Sequence, residues 1–245
     1  MPTRAVHVVV DAADPHALAA FWAAVLGWDV TADDGDEADV WPPGFSYPSA
    51  AALPLVFVPV PEAKTGKNRV HLDLATTSLQ HQAELVDKAL SLGAAKADIG
   101  QGDVPWAVLT DPEGNEFCVL EPRDEYRDTG PVAAVVTDIA DPLAGAAFWA
   151  SAAGWDVQAS EPEFASLRSP AGTGPFLEFL RTDDEKTVKN RLHVDVAPPA
   201  GGDTRAEAAR LIEAGARPAD VGQGQQSFIV LADPQGNEFC VLSPR

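Results

Sequence analysis

The sequence predicts an α+β protein of two tandem domains. Each is built from two strand-helix-three-strand (βαβββ) modules whose paired sheets curve into a cup with the helices outside. Three observations predict this. The stretch Asp111 to Arg123 returns as Asp233 to Arg245, changed only at Glu113/Gln235 and Glu121/Ser243. Earlier blocks recur in the same order: Asp14-Pro15, Phe21-Trp22 and Gly27-Trp28-Asp29-Val30 return as Asp141-Pro142, Phe148-Trp149 and Gly154-Trp155-Asp156-Val157. Lys64, Lys67, Arg69 and His71 likewise return as Lys186, Lys189, Arg191 and His193. A repeat of about 120 residues is domain-sized rather than a solenoid unit, which gives domains 1–124 and 131–245 with a linker at 125–130. The third observation is that the element order repeats again inside each copy.

In the first copy, Val6 to Val10 is a strand rich in β-branched residues. Asp14-Pro15 supplies a helix cap and a first-turn proline. Leu18, Phe21, Trp22, Val25 and Leu26 follow at helical spacing, and Gly27 stops the helix. Trp28 to Val30, the stretch around Val40-Trp41, and Leu53 to Val60 read as three strands, with Asp33 to Asp39 an acidic turn region. Arg69 to Leu74 then reads as a strand with His71 and Asp73 on one side. Gln82 to Leu92 is helical and stops at Gly93. Strands near Ala95 to Ile99, Trp106 to Leu109 and Glu116 to Leu120 complete the copy, the last two joined by the turn Asp111 to Asn115. The second copy follows suit from about Val132.

The formal charge of -20 opposes a nucleic-acid backbone or an anionic membrane as partner, since both are polyanions. The basic clusters at Lys64, Lys67, Arg69 and at Lys186, Lys189, Arg191 fit either solvated turns before a strand or local anion steering. No apolar run is long enough to span a bilayer and no secretory leader is apparent, so a cytoplasmic location is expected. Cys118 and Cys240 stand at equivalent places in the two copies, which favours a repeated local role over a disulfide. Phosphate-cradling glycine motifs, a Gly-x-Ser-x-Gly elbow and a Cys-x-x-Cys pair do not occur.

His7 with Phe21-Trp22 and Leu26-Gly27-Trp28, the strand residue His71, and the terminal Asp-Pro-x-Gly-Asn-x-Phe-x-Val-Leu resemble the glyoxalase, bleomycin-resistance and extradiol-dioxygenase (vicinal oxygen chelate) superfamily, in its glyoxalase-like domain branch. The likeness covers nearly the whole chain, once per copy. It implies a divalent metal in the cup, held by a His, Gln or Glu of the first strand, often an acid of the fourth, a His of the fifth and a Glu of the eighth. Carried over, these positions fall on His7, near Val56, His71 and Cys118 in the first copy, and on Ala134, Glu178, His193 and Cys240 in the second. Neither copy keeps the full set.

The candidate metal ligands are therefore His7, His71, Cys118, Glu178, His193 and Cys240. Two imidazoles and a thiolate suit Zn²⁺ better than Mg²⁺, with Fe, Mn and Ni as further ions the resemblance allows. Glu116 and Glu238, two residues before the cysteines, could supply oxygen instead. Asp73 and Asp195 could orient His71 and His193, or could instead pair with nearby Lys and Arg. Pairing within copies puts His7, His71 and Cys118 with Glu116 in one cup, and Glu178, His193 and Cys240 in the other. Under this pairing the first copy holds any metal more firmly. If the copies exchange half-sites, His7 and Glu178 could share a cup; a homodimer pairing modules between chains fits the same pattern.

The expected function is binding of a small, partly aromatic organic molecule in the cups, the acidic balance suiting a cationic one. Trp41, Trp106, Trp22 and Trp28 supply apolar area, although Trp22 and Trp28 sit on or just after a helix, where packing is their usual role. The alternatives are a metal-dependent lyase, isomerase or dioxygenase acting on vicinal oxygens, and a purely structural role for one copy.

Overall fold

The computed structural model describes residues 3–31, 35–222, 224 and 226–245. The leading module of copy one comprises β1 (Arg4–Ala12), α1 (Pro15–Leu26), β2 (Asp29–Thr31), β3 (Ala38–Trp41) and β4 (Leu55–Pro59). Its trailing module comprises β5 (Val70–Leu74), α2 (Leu79–Ser91), β6 (Ala95–Lys96), β7 (Ala107–Thr110) and β8 (Glu116–Val119). A short 3-10 turn at Asp124–Tyr126 leads into copy two. There the leading module is β9 (Val132–Ile139), α3 (Pro142–Ala153), β10 (Asp156–Ser160), β11 (Phe164–Arg168) and β12 (Phe176–Arg181). The trailing module is β13 (Leu192–Ala197), α4 (Thr204–Glu213), β14 (Arg217–Pro218), β15 (Ile229–Ala232) and β16 (Glu238–Val241). Of the acidic turn expected at Asp33 to Asp39, Asp33 and Asp34 lie outside the described residues and Asp39 belongs to β3.

Local sequence accounts for the element ends. Asp14 accepts a hydrogen bond from Ala17 N at 3.0 Å, Pro15 occupies the first turn, and Gly27 closes α1 in the left-handed conformation (φ 69°). Asp141, Pro142 and Gly154 do the same for α3.

Each eight-stranded sheet takes one module from each copy. The first runs β14-β15-β16-β13-β1-β4-β3-β2, and the second β10-β11-β12-β9-β5-β8-β7-β6. The joints are antiparallel: β1 meets β13 with His7 opposite Asp195, and β5 meets β9 with Asp73 opposite Ala134. Each cup is therefore shared by the two copies, which corrects a cup drawn from one copy alone.

The physical reason lies on the helical side. In copy one, α1 covers the first sheet, yet its Phe21 and Trp22 also stack edge-on against Phe117 of β8 in the second sheet, with centroids 6.3 and 5.0 Å apart. Trp22 Nε1 donates to Asp111 Oδ2 at 3.2 Å, and Trp149 repeats this with Asp233. The Asp-Pro-x-Gly-Asn turn is thus a clamp on a tryptophan as well as a turn. Modules of one copy pack back to back through their helices, so their strand edges lie in different sheets and must be completed by the other copy. One continuous core joins the convex faces of both sheets, including Val10, Phe57, Leu74, Phe117, Ile139, Phe179 and Phe239. Smaller clusters line each concave face.

Candidate functional site

Strand parity sorts the chemistry. Along β1, Ala5, Val8, Val10 and Ala12 enter the shared core and His7 faces the cup. The first cup gathers His7 from β1, His193 and Asp195 from β13, and Cys240 from β16. Asp195, only 3% exposed, accepts from His7 Nε2 at 3.0 Å and from the Cys240 backbone N at 3.0 Å. His193 Nε2 lies 3.3 Å from Asp195 Oδ1, the oxygen that takes the Cys240 N–H, and 3.6 Å from Cys240 Sγ. Burial alone would raise the Asp195 pKa, but the charge and hydrogen bonding of His193 and His7 outweigh it and hold the carboxyl well below its usual range. At the rim, Trp41, Phe45 and Tyr47 pack edge to face, and Tyr47 Oη lies 3.4 Å from His7 Nδ1. Burial pushes the Tyr47 phenol up to about 12.

The second cup gathers His71 and Asp73 from β5, Cys118 from β8 and Glu178 from β12. Ala134 stands where His7 stands in the first cup, so Asp73 has no cross-strand histidine. Its Oδ1 lies 3.4 Å from His71 Nε2, an ion-pair distance without hydrogen-bond geometry. Burial opposes a charged imidazole, but the interaction with Asp73 prevails and raises the His71 pKa. Glu178 is 5% exposed, and its Oε1 accepts from Tyr126 Oη at 2.9 Å. Burial, reinforced by the nearby Asp73 charge, raises the Glu178 pKa to about 7. Tyr126 packs edge-on against Phe176, and the Arg123 guanidinium lies over both Trp106 and Tyr126. Arg168 of β11 lies 4.6 Å over the Phe176 ring, with Nε and Nη2 buried and without a hydrogen-bond partner among the described residues.

The structure separates His7 from His71 and Cys118, and Glu178 from His193 and Cys240. His7 and Glu178 stand in different cups as well. His7 shares its cup with the second copy's His193, so the first copy is not the firmer metal site. Glu116 and Glu238 do not reach the histidines: Lys64 Nζ holds Glu116 at 2.9 Å and Lys186 Nζ holds Glu238 at 2.7 Å, while Asn68 N and Asn190 N take the other oxygens. Asp73 and Asp195 do lie beside their histidines. Both cysteines are free and buried. Sequence reasoning missed Tyr126, taken as linker, and Arg168; the signal was an aromatic in a polar linker and an arginine ending an otherwise small and apolar strand.

In each cup, one imidazole nitrogen, one carboxylate oxygen and one thiol sulfur lie within 4.8 Å of one another: His71, Asp73, Cys118 and His193, Asp195, Cys240. Such a set fits a thiophilic ion such as Zn²⁺ and not Mg²⁺. Burial, together with Asp73 or Asp195, pushes both thiols up and keeps them protonated, so binding would have to release a proton.

Two curved sheets of paired βαβββ modules, each with a polar cluster on its concave face, define a protein of the vicinal oxygen chelate class. The glyoxalase-like domain family matches residues 7–120 and 134–242, and the chain belongs to that family. Among solved structures, glyoxalase I from Zea mays is similar at 15% identity, with a TM-score of 0.67 over 98% of this chain and 92% of that one. A proposed dioxygenase from Bacillus subtilis is similar at 14% identity, with a TM-score of 0.61 over 99% of this chain and 85% of that one. At these identities the likeness is one of fold. No curated protein sequence matches. Among the described residues, no helix is long and apolar enough to cross a membrane.

The Glu178 carboxyl gives a pH signature. Between the usual carboxyl range and about pH 7, the folded chain keeps a proton that the unfolded chain has released. Stability therefore falls as pH rises through that window, and the loss is complete above it. A shift from 4.5 to about 7 corresponds to roughly 3 kcal/mol. Glu178→Gln keeps an acceptor for Tyr126 and removes the charge, so it should raise the melting temperature at pH 8 by about 3–8 °C and leave it nearly unchanged at pH 4.5. Thermal unfolding at both pH values checks this; equal shifts at the two would refute the assignment.

Proposed function

We propose that the protein binds a small, partly aromatic organic molecule carrying a carbonyl or carboxylate group in the second cup. The observation that carries this reading is Arg168, whose guanidinium stacks on Phe176 with two buried nitrogens that have no partner among the described residues. Leaving a buried donor unmatched costs about 1–3 kcal/mol, and an acceptor on a ligand recovers it. Trp106, Tyr126 and Phe176 supply flat apolar area, and Glu178, close to half-protonated near neutrality, donates or accepts as the ligand requires. The local arginines set the preference, rather than the acidic whole. The first cup, where Asp195 already satisfies His7 and Cys240, serves the fold.

A panel of aromatic carboxylic acids and their neutral amides, screened by thermal shift and native mass spectrometry, tests this. Binding should be lost in Arg168→Gln and kept in His7→Ala; a panel without a hit, or a hit indifferent to Arg168→Gln, overturns it.

The two donor triads favour a second reading, a metal-dependent lyase, isomerase or dioxygenase. His71, Asp73 and Cys118, or their counterparts, would hold Zn²⁺, which when bound supplies a Lewis acid. Near-stoichiometric metal in protein purified without a polyhistidine tag would support it, and metal-free protein that still binds the panel would exclude it.

A further inference from the structure

The loops that carry the chain from one sheet to the other, 60–69 and 182–191, run beside each other and border a cleft of about 980 Å³. Its walls are quasi-symmetric. Lys189 pairs with Asp11 at 2.6 Å, and Lys67 pairs with Asp138. Arg191 and Arg69 are the matching arginines, and their environments differ.

Arg191 is fully engaged. Its Nε donates to Asn115 Oδ1 at 3.2 Å, its Nη1 to Glu62 O at 3.0 Å, and its Nη2 to Asp11 O at 2.7 Å and Glu113 Oε2 at 3.3 Å. Among the described residues, Arg69 has one hydrogen bond, from Nη1 to Asp184 O at 2.8 Å, and its buried Nε has no partner. Of the contacts that Arg69 lacks, the one to a carboxylate falls at one of the two substitutions inside the thirteen-residue repeat. The Glu113 carboxylate accepts from Ala13 N and Asp14 N at 2.8–2.9 Å while meeting Arg191. Gln235 accepts from Asp141 N at 2.8 Å but turns its amide nitrogen to Asp141 O at 2.7 Å. An amide in that orientation has no second oxygen and no charge to offer, and Arg69 lacks the carboxylate that its counterpart has.

We propose that Arg69 in this inter-loop cleft is a binding site for the carboxylate of a small external ligand, with Glu113 on Arg191 showing the contact such a carboxylate makes. That contact is a single charge-assisted bond through Nη2, a donor that a guanidinium offers to an external carboxylate. The exposed carboxylates of Glu62, Asp184 and Glu185 also line the cleft and repel anions. They penalise a dianion more than a monoanion, so the site takes a monocarboxylate in preference to phosphate, with affinity on the order of millimolar. This site is separate from the cups and does not depend on what they bind.

The test uses the full-length ¹⁵N-labelled protein titrated with acetate at constant ionic strength, read at the arginine Nε–Hε resonances. The Arg69 signal, identified by its loss in Arg69→Lys, should move saturably while that of Arg191 stays. Gln235→Glu places an internal carboxylate on Arg69 and should abolish the response. Glu113→Gln should make Arg191 respond as well, giving two sites where there was one. An unresponsive Arg69, a response that survives Gln235→Glu, or equal saturation by inorganic phosphate would overturn the proposal.

Discussion

Asp195→Ala is expected to destabilise the protein by about 3–5 kcal/mol, the usual cost of removing one partner from a buried charged network. Its carboxylate accepts from His7 and from the Cys240 backbone and lies 3.3 Å from His193, and all three sit on different strands of one sheet or face each other across the β1–β13 joint. Deleting it leaves the buried His7 imidazole and a backbone N–H without their acceptor and removes the charge beside His193. A fall in melting temperature of roughly 10 °C follows for a chain of this size. The matching change in the second cup, Asp73→Ala, should cost only about 1–2 kcal/mol, because Asp73 meets no cross-strand histidine and has an oxygen without a hydrogen bond. The pH sign is opposite to that of Glu178. Asp195 is held below its ordinary 3.8, so its contribution is present above that value and is lost as pH falls below it. The advantage of the parent over Asp195→Asn should therefore persist from pH 8 to 5 and shrink in stronger acid. Chemical denaturation of the two alanine variants at neutral pH checks the asymmetry; equal losses would contradict the network described for the first cup.

Cutting the chain between the copies should have an effect of the opposite kind from cutting an ordinary two-domain linker. Segments 1–124 and 131–245, produced separately, are each expected to lack a stable monomeric fold. The edge of β1 finds its partner in β13 and the edge of β5 finds its partner in β9, so each segment alone exposes two unpaired central strands. Mixed, the segments should form a 1:1 complex with the far-ultraviolet spectrum and melting behaviour of the intact chain. Circular dichroism with light scattering after size exclusion reads this directly. A folded, monomeric 1–124 would show that modules of one copy can close on each other, contrary to the back-to-back packing of Phe21 and Trp22 on Phe117. The intact chain performs internally the exchange that a homodimer of single copies would perform between subunits.

The nested repeat, the βαβββ order and the family are legible in the residues alone. Those properties are written in local chemistry: caps at Asp14 and Asp141, stops at Gly27 and Gly154, and alternation that turns His7, His71 and His193 away from the shared core. It also delivered the histidines, aspartates and cysteines of both cups, because a period of two places residues on a face whatever that face later meets. What it did not contain was which face meets which. The edge of β1 is compatible with either β5 or β13, since both copies carry nearly the same trailing module. Only the burial of Trp22 and Phe117 against each other, inside one copy, decided that the cups are shared between copies. That choice joined His7 to Asp195 and left Glu178 facing Tyr126. It also brought the Glu113 carboxylate to Arg191, while the repeat counterpart Gln235 is bound to Asp141. Such pairings are set by packing between distant segments, and no local periodicity encodes them.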